Sequence, residues 1–437
     1  MAFLGGAGVH AAAERPNILV IYLDDMGWGQ PGINGGKLAP TPHLDSLARN
    51  GARFTNGYSS ACVCSPSRVG LLTGRYQQRS GHDNLTTNRR GHEMLLSETT
   101  IAQRLKDVGY TTGIVGKWHL GDGEAHLPPS RGFDHFLGTV ANLGEVYPNK
   151  HEFYRDLTPI AAPPESPVTA HVFVEDSLRF IDARGDRPFF LYLPLHGVHS
   201  PYVASERWLD RFASVQPKRL QLYSALIAET DEAIGKVLGG LRARGLEENT
   251  LIFCISDNGG VTPEAEQGGL RGQKWLLWEG GIRVPFFVQW KGRVPAGRVI
   301  DEPVMQIDVL PTALAAAGLD VKSEWKIDGL NILPLASGAV ASVPRTLFWR
   351  YGPQFAVRRG AWKLIHAGDD MQPMLIDLAS DPGERRNVAA AHSRIVMELQ
   401  TAWQDWNATL PPPRWDDPRN RGEEAKKRFL ESIQKKK

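Results

Sequence analysis

Asn17-Ile18-Leu19-Val20-Ile21-Tyr22-Leu23 runs without a break into Asp24-Asp25-Met26-Gly27-Trp28-Gly29. An unbroken run of branched, apolar residues describes a strand buried on both faces, because a strand with one wet face would alternate. Such a strand belongs in a parallel sheet covered on both sides, and this one stops at two carboxylates. The same pattern recurs further along. Thr111–Val115 leads into Gly116-Lys117-Trp118-His119, and Pro188–Leu195 leads into His196-Gly197-Val198-His199-Ser200-Pro201. Thr250–Ile255 leads into Ser256-Asp257-Asn258-Gly259-Gly260, and Val284–Trp290 is one more strand. Helical periods lie between them at 42–51, 100–108, 168–184, 219–244 and 307–317, while 121–167 reads as loop.

Strands alternating with helices predict an α/β fold, a large and mostly parallel central sheet with helices on both faces. Ligands of such sheets bind outside the carboxyl ends of the strands. Asp24, Asp25, Lys117, His119, His196, His199, Asp257 and Asn258 all fall there. Beyond Gly338 the texture changes to short strands at hairpin spacing (346–350, 354–359, 362–365, 374–378) and a helix at 389–406. This predicts a small C-terminal antiparallel sheet with one helix. The expected division is a signal-peptide remnant at 1–13, a catalytic α/β domain at 14–338, and an α+β domain with a charged tail at 339–437. One helix is read in that tail, at 423–433.

The chain has 437 residues, of which 42% are hydrophobic and 12 are Trp, enough for a sizeable core. A formal charge of +2 points to neither nucleic acid nor an anionic membrane surface as partner. No run of eighteen apolar residues is present, so no membrane span is expected. Of the three cysteines, Cys62 and Cys64 are too close to bridge and Cys254 sits in a buried strand, which argues against a disulfide framework. The start is small and apolar, ending in Ala11-Ala12-Ala13, but lacks a basic region. Localisation therefore leans to periplasm or secretion, with the cytoplasm left open. Asn84-Leu85-Thr86 and Asn407-Ala408-Thr409 fit the glycosylation sequon.

Cys64-Ser65-Pro66-Ser67-Arg68 describes a thiol at the mouth of a short helix, with Ser65 as N-cap, Pro66 at the first helical position and Thr73-Gly74 as the stop. A helix start is a seat for anions, and Arg68 adds a fixed cation one turn in. Asp24-Asp25 and Asp257-Asn258 offer hard oxygen ligands suited to Ca²⁺ or Mg²⁺. Each pair also has a plain structural reading, as a helix cap or as an Asp-Asn-Gly turn.

The string from Cys64 to Gly74 resembles the C-x-P-S-R-x₄-T-G signature of the type I, formylglycine-dependent sulfatases of the alkaline phosphatase superfamily. Gly116-Lys117-Trp118-His119-Leu120-Gly121 is similar to that family's G-K-W-H-L-G segment. Arg271-Gly272-Gln273-Lys274 with Glu279-Gly280-Gly281-Ile282-Arg283-Val284-Pro285 is similar to its R-G-x-K…E-G-G-x-R-V-P block, and His199-Ser200-Pro201 to its H-x-P element. Thr41–Asp45, Arg131–Asp134 and Asp381-Pro382-Gly383-Glu384 resemble the further family strings T-P-N-L-D, H-G-F-D and D-P-x-E. Phe153-Tyr154-Arg155-Asp156 resembles N-acetylgalactosamine-6-sulfatase and arylsulfatase-like members. Gln30 departs from the pattern, which has Asp there.

The resemblance implies that Cys64 is oxidised to formylglycine by a formylglycine-generating or sulfatase-maturing enzyme. It implies a metal, Ca²⁺ with Mg²⁺ as the alternative, held by Asp24, Asp25, Asp257, Asn258 and the modified Cys64. The implied catalytic residues are Cys64, Arg68, Lys117, His119, His199 and Lys274, with Lys117, His199 and Lys274 meeting the substrate. Asp257 is expected to take the proton of the nucleophilic hydroxyl and His199 to protonate the departing alkoxide. His119 is expected to take the proton whose loss releases sulfate. His196 stays open between a site role and a structural hydrogen bond. The implied activity is hydrolysis of sulfate esters on a sulfated polysaccharide or glycosaminoglycan fragment. The rival readings are a phosphate or phosphonate monoester hydrolase of the same superfamily and a non-catalytic sulfoglycan-binding protein.

Overall fold

The computed structural model describes residues 15–87, 89–141, 153–161, 169–368 and 371–417. The leader read at 1–13 and the tail helix read at 423–433 lie outside the described residues. In chain order the first strands are β1 (Asn17–Leu23), β2 (Ala52–Phe54), β3 (Gly57–Tyr58), β4 (Thr111–Lys117), β5 (His135–Thr139) and β6 (Phe153–Arg155). They are followed by β7 (Thr158–Ile160), β8 (Phe189–Pro194), β9 (Thr250–Ser256), β10 (Phe286–Gln289), β11 (Arg298–Ile300) and β12 (Val304–Met305). Ten of these form the central sheet, in the order β11-β2-β10-β9-β1-β8-β4-β5-β6-β7, and β3 pairs with β12 separately. The inner strands β9, β1, β8, β4 and β5 are mutually parallel. Antiparallel β10 lies on one flank, and β6 and β7 on the other.

Every residue of β1 is buried, as its unbroken apolar run requires. Ile18, Val20 and Tyr22 point into one core and Leu19, Ile21 and Leu23 into the other, the period-two alternation of a strand covered twice. The long helix Lys218–Ala243 covers the second face with Ile227, Ile234 and Leu238. The helix Cys64–Thr73 covers the first with Val69, Leu71 and Leu72.

The stretch 121–167 is not all loop, because β5 continues the parallel sheet beside β4, and β6 and β7 form its edge. These strands are short and contain Gly or polar residues, so long-range pairing rather than local pattern makes them strands. Pro66 is the third residue of the Cys64 helix rather than its first, and Ser65 is not its N-cap. Val63 holds that position with no side-chain cap, Cys64 is the first helical residue, and Ser65 Oγ instead accepts from Thr86 N at 2.6 Å.

The C-terminal strands are β13 (Thr346–Tyr351), β14 (Gln354–Arg359), β15 (Trp362–His366) and β16 (Met374–Asp377), all antiparallel in that order. Their helix is Ser393–Ala408; Ala389–Ala391, read as its first turn, is a separate 3-10 turn. One face of this sheet packs on Leu399 of that helix. The other, through Leu347, Trp349, Ala356 and Ile365, shares a core with Cys62, Val63, Leu276 and Trp278. The small sheet thus backs directly onto the segments around Cys64. No disulfide joins Cys62, Cys64 and Cys254, all of which are buried. Among the described residues no helix is long and apolar enough to cross a membrane.

Candidate active site

At the end of β1 the chain turns sharply, with Asp25 at φ 62° in the left-handed region, which Asp tolerates better than most residues. In a continuing strand Asp24 and Asp25 would face opposite sides. The turn instead brings both carboxylates beside Cys64, whose Sγ lies 3.5 Å from Asp24 Oδ1 and 3.9 Å from Asp25 Oδ1. Neighbouring strand ends lock this corner. Asp24 N donates to Gly197 O, Val198 N to Asp24 O, and Asp257 N to Leu23 O.

Three cations answer the carboxylates. Arg68, wholly buried, donates through Nη2 to Asp257 Oδ2 at 2.9 Å and through Nη1 to Lys117 O at 2.9 Å, and Asp24 Oδ2 lies 3.5 Å from Nη2. Its guanidinium carbon sits 5.4 Å from the centre of the Tyr22 ring. Lys117, the last residue of β4, reaches Asp24 Oδ2 at 2.5 Å. Lys274 holds Asp25 Oδ1 at 2.7 Å and Oδ2 at 2.9 Å. His199 Nε2 stands 3.6 Å from Asp25 Oδ2. The expected residues from β1, the Cys64 helix, β4, β8, β9 and the Lys274 loop therefore meet in one pocket.

The electrostatics assign protons. Burial opposes the charge of Asp24, yet Lys117, His199, Arg68 and Lys274 together hold its carboxyl well below the usual range. Asp257, as fully buried as Asp24, is pushed up to about 7 by burial and then by the Asp24 charge. Burial pushes the Cys64 thiol up, so it stays protonated and is no thiolate nucleophile. Burial and then Lys117 depress His119 strongly. Burial and then Lys274 bring His199 down to about 4. Both rings are neutral at pH 7.

The donor set fits a hard divalent cation. One ligand atom each from Asp24, Asp25, Cys64 and His199 lies within 4.8 Å of the other three. Asn258 donates through Nδ2 to Asp25 Oδ1 at 2.7 Å, while its carbonyl Oδ1 is buried without a hydrogen-bond partner. A turn of the Asn258 amide that exchanges Nδ2 for the unpartnered Oδ1 would present that oxygen toward Asp25, as a cation there requires. Asp257 touches the cluster through Oδ1, which accepts from Asp25 N at 3.1 Å.

His196 pairs through Nε2 with Thr139 Oγ1 at 2.8 Å and stacks on Phe173, while its Nδ1 is buried without a partner. Residues that sequence reasoning missed stand behind Arg68. Tyr22 donates its OH to Gln306 Oε1, and Gln306 Nε2 bonds Ser60 Oγ and Ser67 O. Tyr22 was visible only as one more apolar strand residue. Asn84, in one sequon, is buried with Nδ2 on Trp415 O, which leaves no room for a glycan.

The family profile described as Sulfatase matches residues 16–319, well over half of the chain. The chain belongs to the sulfatase family. A second profile, the C-terminal region of N-sulphoglucosamine sulphohydrolase, matches residues 271–408. Human (Homo sapiens) N-acetylgalactosamine-6-sulfatase is 33% identical over 87% of this sulfatase and 83% of its own length. Human arylsulfatase A is 33% identical over 89% and 87%. The crystal structure of Ps i-CgsB in complex with k-i-k-neocarrahexaose matches with TM-score 0.86 at 26% identity, covering 97% of this chain and 99% of that one. The protein is thus a sulfuric ester hydrolase. The family uses a divalent metal and a formylglycine, and the residues of this pocket fit both.

Proposed function

We propose that this sulfatase hydrolyses sulfate esters on a sulfated carbohydrate, a polysaccharide or glycosaminoglycan fragment, outside the cytoplasm. The observation that carries the chemistry is the balance around Cys64. Asp24, Asp25 and Asp257 face Arg68, Lys117 and Lys274, so a bound divalent cation leaves the pocket net positive for an anionic ester. The sugar class is supported by the relatives named for N-acetylgalactosamine-6-sulfatase and by the hexaose bound to Ps i-CgsB.

In this reading Asp24, Asp25, Asp257, Asn258 and the oxidised Cys64 hold the metal, Ca²⁺ rather than Mg²⁺, after a maturing enzyme has acted. Metal and formylglycine together supply a Lewis acid and a hydroxyl nucleophile at neutral pH. The chain's own residues do the rest. Lys117 Nζ and Lys274 Nζ bind and orient the sulfuryl oxygens, a preorganised field worth several kcal/mol. Asp257, fixed by Arg68 at Oδ2 and by Asp25 N at Oδ1, is placed to take up and return the proton of the nucleophilic hydroxyl. His119 has a buried Nδ1 without a partner, and its neutral ring accepts a proton there. His199 faces the leaving oxygen. The anionic ester offsets the Lys274 charge that depresses the ring, raising its affinity for the proton it then delivers. Every one of these residues lies within 14–338, the proposed catalytic unit.

A panel of sulfated oligosaccharides assayed for released sulfate tests the substrate class, with sulfate and phosphate esters of one leaving group run beside it. Preference for the phosphate ester would turn the assignment toward a phosphatase. Chelation is expected to abolish turnover, and Ca²⁺ to restore it more fully than Mg²⁺. Equal recovery with either ion would remove the preference for calcium.

A further inference from the structure

We propose that the C-terminal sheet is the template that shapes the Lys274 loop, with Gln354, Lys363 and Glu384 as positioning residues. The inference rests on the reading of Lys274 as the cation that meets the sulfate. The loop is closed at its neck by Gly280 N donating to Arg271 O at 2.6 Å. Closure needs glycines: a Cβ on Gly280 would lie 2.5 Å from Gly272 O, and one on Gly281 would lie 1.9 Å from Leu276 O. Just after Lys274 the backbone enters the left-handed region at Trp275, φ 75°, a conformation that surrounding contacts must hold in place for a bulky residue.

Those contacts come from far along the chain. Gln354 of β14 donates through Nε2 to Trp275 O at 2.9 Å and accepts at Oε1 from Leu277 N at 3.1 Å, so one side chain brackets the turn. Lys363 of β15 donates to Leu277 O at 2.9 Å and pairs with Glu279 Oε1 at 2.9 Å. Glu384, beyond β16, accepts from Glu279 N at 2.6 Å through Oε2, and its backbone oxygen accepts from Arg271 Nη1 at 2.8 Å. Both ends of the loop and the turn beside Lys274 are therefore held from the small sheet. From the larger sheet's loops come Gly260 O, which accepts from Lys274 N, and Cys62 O, which accepts from Trp275 N. Gln354, Lys363 and Glu384 are fully buried, so water does not replace a bond that is removed. A shift of even 1 Å in Lys274 Nζ is enough to lower the rate severely.

A double-mutant cycle on kcat/KM for 4-nitrophenyl sulfate, using the full-length matured enzyme, tests this. Gln354→Ala is expected to lower kcat/KM about tenfold, and to cause no further loss in a Lys274→Ala background. Gln354→Met keeps the length of the side chain and removes both bonds without burying a charge, and a loss comparable to that of the alanine variant is expected. It also keeps the test alive if the alanine variant does not fold. Equal fold-losses with and without Lys274, or no loss at all, would overturn the proposal while leaving Lys274 in its role. Full activity of Lys274→Ala alone would instead overturn the reading of Lys274, and the template role with it.

Discussion

Cys64 enters the pocket as a protonated thiol beside two carboxylates, a setting hostile to a thiolate. What the site asks of residue 64 is an oxygen group that both attacks and re-forms. Cys64→Ala is accordingly expected to abolish turnover. Cys64→Ser is expected to release at most one equivalent of leaving group per enzyme and then stall, read as a burst without a steady state. Sustained turnover by the serine variant would sink the mechanism. Gln30, the departure from the family string, also finds its reason at this scale. Its Nε2 donates to Glu266 Oε2 at 3.1 Å, and its Oε1 accepts from Tyr223 OH and Glu266 N. An acid at 30 would face that half-buried glutamate charge to charge. Gln30→Glu is expected to cost about 3 kcal/mol in chemical denaturation, recovered in large part by adding Glu266→Gln.

The strand ends are as constrained as the side chains they carry. Gly116 lies one residue before Lys117 with φ 135°, and a Cβ there would sit 2.1 Å from Pro194 O in β8. Across the other neighbour, a Cβ on Gly138 of β5 would sit 1.8 Å from Gly116 O. The two glycines let three backbones close together at the site's edge and set the direction in which Lys117 leaves β4. Gly116→Ala is expected to destabilise the fold by about 3 kcal/mol and to lower kcat further than the thermal melt alone explains. Loss of stability with unchanged kcat in the folded fraction would confine the glycine to a packing role.

Across the molecule, the small C-terminal sheet is tied to the segment beyond Lys274 by a buried ionic knot: Lys363 between Glu279 and Glu384, with Tyr58 donating to Glu279. Burial raises Glu384 from 4.5 to about 7 against the pull of Lys363, with Glu279 adding to the rise. The folded state thus binds this proton more tightly than the unfolded chain does. Its stabilising contribution is complete below about pH 4.5 and is lost as the pH rises through about 7. Thermal midpoints measured from pH 5 to 8 are expected to show this fall, and Glu384→Gln to flatten it. An unchanged slope in that variant would place the titration elsewhere.

The central parallel sheet and its polar rim were legible because they are written locally: unbroken apolar runs such as 17–23 and 250–255, each ending abruptly in charge. The candidate site was legible for the same reason, since Asp24, Lys117, His199 and Asp257 sit next to strand ends, and the Cys64 string is a contiguous motif. Less could be read where stability comes from distant partners. β5 and β6 carry weak local patterns and exist through pairing with β4 and each other. The partners of His196, Thr139 and Phe173, come from other segments and are not written in its own surroundings. Gln354 and Lys363 carry no role in the sequence reading beyond lying in short strands, and Glu384 none beyond a family string; burial against the Lys274 loop gives them their partners. A run of side chains determines which strand forms and what it ends in; which buried polar group meets which is decided when separate segments exclude water together, and no local pattern encodes that.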